Sequence, residues 1–360
     1  MTKVLTVIGT RPQFIKAAAV SRVIKEQTNI KEVLIHTGQH YDDVMSEIFF
    51  REMDIPKPDY HFSINTSTHA TMTAQMLEGI EQAVIKEKPD IVLVYGDTNS
   101  TLAGALAASK LHVPVAHIEA GLRSFYMDMP EEVNRILTDR ISNKLFCPTS
   151  AAMHNLEVEG LNTPDRVVVN TGDVMYDAAL YYAKLAEERS HILHTLNLKP
   201  DTYLLATVHR AENTDNKERL ASIVAAINSL SKQHKIILPL HPRTKKMLEQ
   251  FHLELECTVI EPVGYFDMIS LIKNCHMVLT DSGGLQKESY FFHKYCITLR
   301  DQTEWVELTQ AGCSKIAGAE TEHILQAVSD FYTKPFHNGS VFYGDGNASR
   351  IICQYLSSAS

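Results

Sequence analysis

The chain has no CxxC pair, no excess of basic residues, no apolar run near the roughly 20 residues of a membrane span, and neither common glycine-rich nucleotide fingerprint. Its six cysteines, Cys147, Cys257, Cys275, Cys296, Cys313 and Cys353, are scattered. That excludes a zinc ribbon or a disulfide framework and leaves reduced, mostly buried thiols. With 34 Lys and Arg against 43 Asp and Glu the 360-residue chain is mildly acidic, so no nucleic-acid partner is expected. Met1-Thr2-Lys3 runs straight into a strand pattern rather than a leader peptide, and no membrane segment follows. The expected location is cytoplasmic. His36 and His40 stand four apart, but Gly38 between them argues against a helical metal face, and no metal is expected. Without GxGxxG or GxxxxGK[ST], neither a nicotinamide dehydrogenase nor an ATPase is supported.

Apolar strands alternate with helical patterns in two series. The first series has strands at Val4 to Ile8, Lys31 to His36, Ile91 to Tyr95, Val115 to Ile118, Leu145 to Cys147 and Val167 to Val169, with a long helix from Thr68 to Glu87. The second has Tyr203 to Thr207, Lys235 to Leu240, Val259 to Ile260, Met277 to Thr280 and Tyr295 to Leu299. This is the signature of an α/β fold of two doubly wound Rossmann-like domains, whose ligands bind outside the strand C-termini in a cleft between them. The expected division is 1–172, a linker region 173–200, a second domain 201–343, and a helix in 344–360 that packs back on the first domain.

The loops after these strands carry the candidate chemistry. Gly9-Thr10-Arg11-Pro12 places Arg11 and Lys16 near a helix start, where cations oppose the dipole unless an anion intervenes. They are either part of a phosphate site or two solvated surface cations. Asp97 and Glu119 follow strands, and Glu131 opens a helix in which Arg135 makes an i,i+4 pair with it. Taken singly each carboxylate reads as structural; three at strand ends or the adjoining loop point to function. The second half collects His209, Arg210, His241 and Arg300 at one edge of its sheet. They form an anion-binding edge, or the histidines cap neighbouring helices. Within MVLTDSGGLQKESYFF, Met277 to Phe292, a strand ends at Asp281-Ser282, and Gly283-Gly284 opens a helix. Free N–H groups and the dipole there favour a phosphate, and Glu288 lies two turns on, suited to sugar hydroxyls. A plain Gly-Gly turn with a solvated Glu is the alternative.

Eight loops taken together carry more. They are GTRP at Gly9 to Pro12, GDTNST at Gly96 to Thr101, HIEAGLRS at His117 to Ser124 and PEEVNR at Pro130 to Arg135. The second half adds TVHRAEN at Thr207 to Asn213, LPLHP at Leu238 to Pro242, DSGGLQKE at Asp281 to Glu288 and LRDQTE at Leu299 to Glu304. Over nearly its whole length the chain resembles the bacterial non-hydrolysing UDP-N-acetylglucosamine 2-epimerases, which share the two-domain glycosyltransferase-B-like fold. The resemblance implies a homodimer and a UDP-sugar substrate. It implies that Ser282, Gly283 and Gly284 meet the diphosphate and Glu288 the ribose, with Arg11 and His209 completing the clamp. Asp97, Glu119 and Glu131 then serve the sugar, with Lys16 and Arg135 nearby. The implied chemistry is loss of UDP to a 2-acetamidoglucal and readdition with C2 inverted, a route that needs no redox cofactor or metal. Which carboxylate is base and which acid stays open.

Some positions depart from the family pattern. Gln13 stands where many members have Glu, Tyr41 and Asp42 stand where a regulatory UDP-sugar is bound, and Trp305 follows Thr303-Glu304. Asp42 would repel a diphosphate, which argues against allosteric activation. RPQF, GQHYD and TEWVE look more like the subgroup acting on UDP-2,3-diacetamido-2,3-dideoxyglucuronate, used for surface polysaccharide; conversion of UDP-N-acetylglucosamine to its C2 epimer is the main reading and this uronate the alternative. A UDP-sugar glycosyltransferase and a non-catalytic UDP-sugar sensor are the competing readings.

Overall fold

The computed structural model describes residues 1–38, 57–62, 64, 68–336 and 341–357, except for the side chain of Arg11. His40, Tyr41 and Asp42, and with them the allosteric reading, lie outside the described residues. The chain forms two compact units, Met1–Leu180 with Val341–Ser360, and Tyr181–Ser340.

Unit 1 runs β1 (Thr2–Ile8), α1 (Arg11–Lys25), β2 (Ile30–His36), β3 (Tyr60–His61), α2 (His69–Glu87), β4 (Ile91–Tyr95), α3 (Asn99–Lys110), β5 (Val115–Ile118), α4 (Pro130–Ile141), β6 (Lys144–Cys147), α5 (Ser150–Val158) and β7 (Val167–Asn170). Continuous apolar runs such as Ile91–Tyr95, buried at all five residues, suit a parallel sheet covered on both faces. The strands pair in parallel in the order β3-β2-β1-β4-β5-β6-β7. The order reverses between β1 and β4, so the crevice at their C-terminal ends receives the loops carrying Arg11 and Asp97.

The expected linker is mostly helical, as α6 (Val174–Arg189), in which the unit boundary falls, and α7 (Ile192–Thr195). Unit 2 follows with β8 (Tyr203–Thr207), α8 (Ala211–Thr214), α9 (Lys217–Ser231), β9 (Lys235–Pro239), α10 (Pro242–Phe251), β10 (Thr258–Ile260), α11 (Tyr265–Asn274), β11 (Met277–Thr280), α12 (Gly283–Phe291), β12 (Tyr295–Thr298), α13 (Val306–Gln310), β13 (Ser314–Ile316) and α14 (Thr321–Tyr332). Its sheet is parallel in the order β10-β9-β8-β11-β12-β13, and the reversal between β8 and β11 gathers His209 and Asp281 at one crevice.

The chain then returns to unit 1 as α15 (Ala348–Ser357), whose Ile352, Cys353 and Leu356 are buried. Asp177 anchors it, accepting hydrogen bonds from the Ala348 and Ser349 amides at 3.1 and 2.7 Å. The six cysteines are all free thiols, and no group of metal-ligating side chains occurs among the described residues. No described helix is long and apolar enough to cross a membrane.

Candidate active site

In unit 1 the loop leaving β4 is fixed at three successive carbonyls. Gln13, which is 1% exposed, donates from Nε2 to the Tyr95 carbonyl at 2.7 Å, and its Oε1 accepts from the Gly9 amide at 2.8 Å. One neutral amide thus ties the β1 loop to the β4 loop with both ends satisfied. His117 Nε2 lies 2.7 Å from the Gly96 carbonyl, and Asn134 Nδ2 donates to the Asp97 carbonyl at 2.9 Å.

The Asp97 side chain, one-third exposed, accepts from Arg135 Nη2 at 2.5 Å. Sequence spacing pairs Arg135 with Glu131; the structure corrects this. Arg135 Nη1 instead bonds Glu132 at 2.5 Å, an i,i+3 contact, because the third residue of α4 turns inward whereas Glu131, one residue earlier, is half-exposed. Glu131 makes no ion pair among the described residues. Burial alone would raise the Glu132 carboxyl, but the amides of Ser124 and Phe125 and the Arg135 charge outweigh it and hold it below its ordinary range. Burial likewise works against the Arg135 cation, and the Asp97 and Glu132 carboxylates more than offset that. Glu132 was not among the sequence candidates. Its signal was its place three residues into the helix, where a carboxylate reaches back to preceding amides.

Glu119 pairs with Lys16, both nearly buried. Its backbone is left-handed, at φ 75°, which is strained for a glutamate. The amides of Glu119 and Ala120 are held by the Phe146 carbonyl at 3.0 and 3.1 Å, so neighbouring β6 holds the strained turn in place. Gly96 has φ 64°, and a Cβ there would sit 3.2 Å from Glu119 Oε2 and 3.5 Å from Lys16 Nζ. The Lys16–Glu119 pair therefore rests on the Gly96 backbone. Arg11 opens α1, with Pro12 in the second helical position.

In unit 2, Asp281 is fully buried and accepts from the amides of His209 and Arg210 and from Asn213 Nδ2, at 2.9 to 3.2 Å. His209 Nδ1 lies 3.4 Å from the same carboxylate. All these partners belong to the protein, so the aspartate orients the His209–Arg210 loop, while the His209 ring is more than one-third exposed. Arg210, half-buried, is the N-cap residue of α8. His241 caps α10 through Nδ1, which accepts from the Arg243 amide at 3.1 Å, and its ring centroid is 5.5 Å from that of His209. Of the two readings left open for the histidines, capping describes His241.

Ser282 caps α12, accepting from the Leu285 amide, and Gly283 and Gly284 are the first two helical residues. A Cβ on Gly283 would collide with Glu304 Oε1, whereas one on Gly284 finds only Ser282 Oγ, at 3.9 Å. Glu304 also pairs with Arg300 at 2.9 Å, with both side chains buried. Glu288 is buried and accepts from Tyr265 OH at 3.2 Å. Beneath the helix start Lys287 Nζ stands 4.1 Å over the ring of Trp305, a buried cation on an aromatic face. Neither Tyr265 nor Lys287 stood out in the sequence, because each lies within a helical pattern where core is the default.

Comparison with known proteins follows the same lines. The profile of the UDP-N-acetylglucosamine 2-epimerase family, Epimerase_2, matches residues 22–357. A UDP-2,3-diacetamido-2,3-dideoxy-D-glucuronate 2-epimerase of Pseudomonas aeruginosa is 54% identical over 355 residues, 98% of this chain and 99% of that protein. A UDP-N-acetylglucosamine 2-epimerase of Methanocaldococcus jannaschii is 45% identical over 364 residues, covering 98% of each. The crystal structure of the Methanocaldococcus jannaschii UDP-GlcNAc 2-epimerase in complex with UDP-GlcNAc and UDP superposes with a TM-score of 0.91 at 42% identity, covering 99% of each chain.

Proposed function

This chain belongs to the UDP-N-acetylglucosamine 2-epimerase family, and from that premise we propose that it inverts C2 of the UDP-linked sugar UDP-2,3-diacetamido-2,3-dideoxy-glucuronate. As a 2-epimerase it is an isomerase, and each unit has the doubly wound architecture used in glycosyltransferase-B-like folds. The observation that carries the mechanistic reading is the pairing of Asp97 with Arg135 and of Glu119 with Lys16 around one loop at the β1/β4 crevice.

C2–H of an acetamido sugar is weakly acidic, so breaking the anomeric C–O bond comes first in the reaction. UDP leaves with the bonding electrons, the resulting oxocarbenium character acidifies C2–H, and a carboxylate removes that proton to leave a 2-acetamidoglucal. A proton then returns to C2 from the other face as UDP re-adds to C1, so atoms and charge balance without an oxidant. Asp97, Glu119 and Glu131 are the groups for proton movement and for the transient positive charge. In unit 2 the leaving diphosphate is held at the start of α12 by the Ser282 hydroxyl and the amides of Gly283 and Gly284, the Ser282 amide being taken by Thr280 Oγ1 at 3.0 Å, with His209 and Arg210 adding donors or positive charge. Glu288 takes ribose hydroxyls, while His241, Asp281 and Arg300 shape the same edge.

The choice of sugar rests on the 54% identity to the diacetamido-glucuronate enzyme against 45% to the UDP-N-acetylglucosamine enzyme. UDP-N-acetylglucosamine is the second reading, favoured by the bound UDP-GlcNAc of the relative with a TM-score of 0.91. Incubating both sugars with the protein in D2O tests both readings. Deuterium at C2 is expected, faster with the uronate. No exchange with either sugar refutes the epimerase reading, and a glycosyl acceptor requirement points to a transferase instead. A cytoplasmic homodimer is part of the same proposal. Phe125, Tyr126, Met127 and Leu137 are exposed apolar side chains of unit 1 open to a second copy, and a monomer in sedimentation velocity would remove that element.

A further inference from the structure

We propose that His117 is a positioning residue for the reaction: a buried ring, anchored by Asp139, that donates to the Gly96 carbonyl and so sets Asp97. The inference rests on the epimerase reading above.

His117 lies on β5 and is fully buried. Its Nε2 is 2.7 Å from the Gly96 carbonyl and its Nδ1 is 2.7 Å from Asp139 Oδ1. A carbonyl oxygen has only lone pairs to offer, so Nε2 carries a proton. Nδ1 faces the Asp139 carboxyl, which is fully buried and also takes the Arg123 guanidinium at 2.7 Å, so the ring is held from its far side.

The aspartate cannot follow the ring if the ring moves. Asp139 Oδ2 accepts from the Gly121 amide at 3.1 Å and from Arg123 Nη1 at 2.7 Å, and Arg123 forks onto Glu159 at 2.6 and 2.9 Å. The chain of contacts runs from a fixed anchor, through the imidazole, to the peptide joining Gly96 to Asp97.

Of the three carbonyls held at the β4 exit, the Gly96 one is central. It belongs to the left-handed glycine whose Cα faces Lys16 and Glu119. Turning that peptide swings Asp97 off Arg135 and disturbs the Lys16–Glu119 pair together, so a single hydrogen bond sets two of the proposed catalytic carboxylates. A misplacement of about 1 Å is enough to cost about 10²-fold in rate.

The test uses the full-length protein and whichever sugar the unsubstituted enzyme exchanges. His117→Gln keeps an amide donor at about the place of Nε2, whereas His117→Asn keeps one only near Nδ1. The expected result is a kcat lowered by about 10²-fold in His117→Asn with KM changed by less than about threefold, and recovery to within about tenfold in His117→Gln. Equal kcat values for the two variants, or a loss confined to KM, overturn the proposal. Nitrogen NMR of the unsubstituted protein in neutral buffer keeps it testable should His117→Asn not fold. A proton on Nε2 of His117 supports it, and an unprotonated Nε2 overturns it. An unsubstituted enzyme silent on both sugars would refute the proposed function instead, so the two failures are distinct.

Discussion

Gly283 and Gly284 stand side by side, yet substitution should affect them in opposite ways. At Gly283 an added methyl meets Glu304 Oε1, the far end of a side chain that is itself held by Arg300 at 2.9 Å. Displacing it forfeits a charge-assisted hydrogen bond of about 1.5–3 kcal/mol, against a helix-propensity gain of up to about 1 kcal/mol for alanine over glycine. Gly283→Ala should therefore lose about 0.5–2 kcal/mol of unit 2 stability. At Gly284 the methyl meets only Ser282 Oγ, at 3.9 Å, so Gly284→Ala should hold or gain stability by about 0.4–1 kcal/mol. If the α12 backbone approaches a diphosphate there, the same methyl intrudes on the ligand, an overpacking cost of about 1–3 kcal/mol, or about 5- to 150-fold in UDP affinity. Melting followed by Trp305, the chain's single tryptophan, reports stability, and calorimetry with UDP reports binding. A Gly284→Ala protein that is stable and binds UDP as tightly as the parent would refute the phosphate cradle at this helix start.

The other expectations are independent of that pair. Asp97→Asn, Glu119→Gln and Glu131→Gln should each lower C2 exchange by about 10²-fold or more while UDP binding in calorimetry persists; three variants with parental rates would remove the site assignment. Trp305 Nε1 lies 3.6 Å from where a Gly283 Cβ would stand, so UDP titration should change tryptophan emission, and an unresponsive spectrum at saturating UDP would place the nucleotide elsewhere. Glu132 and Asp139 are depressed below their ordinary 4.5 and 3.8, so each binds fewer protons folded than unfolded in that window. Their contribution is present above those values and lost as pH falls through the folded ones. Melting of Glu132→Gln against pH should show a flatter acid limb than the parent, and an unchanged limb would contradict the assignment.

The two sheets were legible because central strands such as β4, β8 and β11 are buried on both faces and read as nearly unbroken apolar runs. β3 (Tyr60-His61) and β13 (Ser314-Lys315-Ile316) escaped because neither holds two aliphatic residues in a row, whereas β10, as short as β13, keeps Val259-Ile260. The loops at the two switch points were legible as loops, since function-bearing polar residues stop each run. Their internal arrangement was not. Helical phase cannot tell Glu131 from Glu132 at the first turn of α4, and only the fold shows which one faces Ser124, Phe125 and Arg135. His117 sits inside the strand pattern VAHI, where a reading by hydropathy counts it as core; its role appears only once β4 and α4 are beside it. Asp281 reads as a polar loop residue by sequence and as a buried loop anchor in three dimensions.

The return of the last segment to unit 1 bears on how the protein is made. Unit 2 is one continuous stretch, whereas the β1 layer of unit 1 is covered by α15, where Lys144 Nζ donates to the Tyr355 carbonyl at 2.5 Å and the Phe146 and Tyr355 rings meet at 6.1 Å. During synthesis unit 1 therefore begins before unit 2 and is completed after it. Until residues 348–357 emerge from the ribosome, a strip of α1 and one face of β6 stay uncovered, an interval in which a nascent chain depends on chaperones or on its own second half folding promptly.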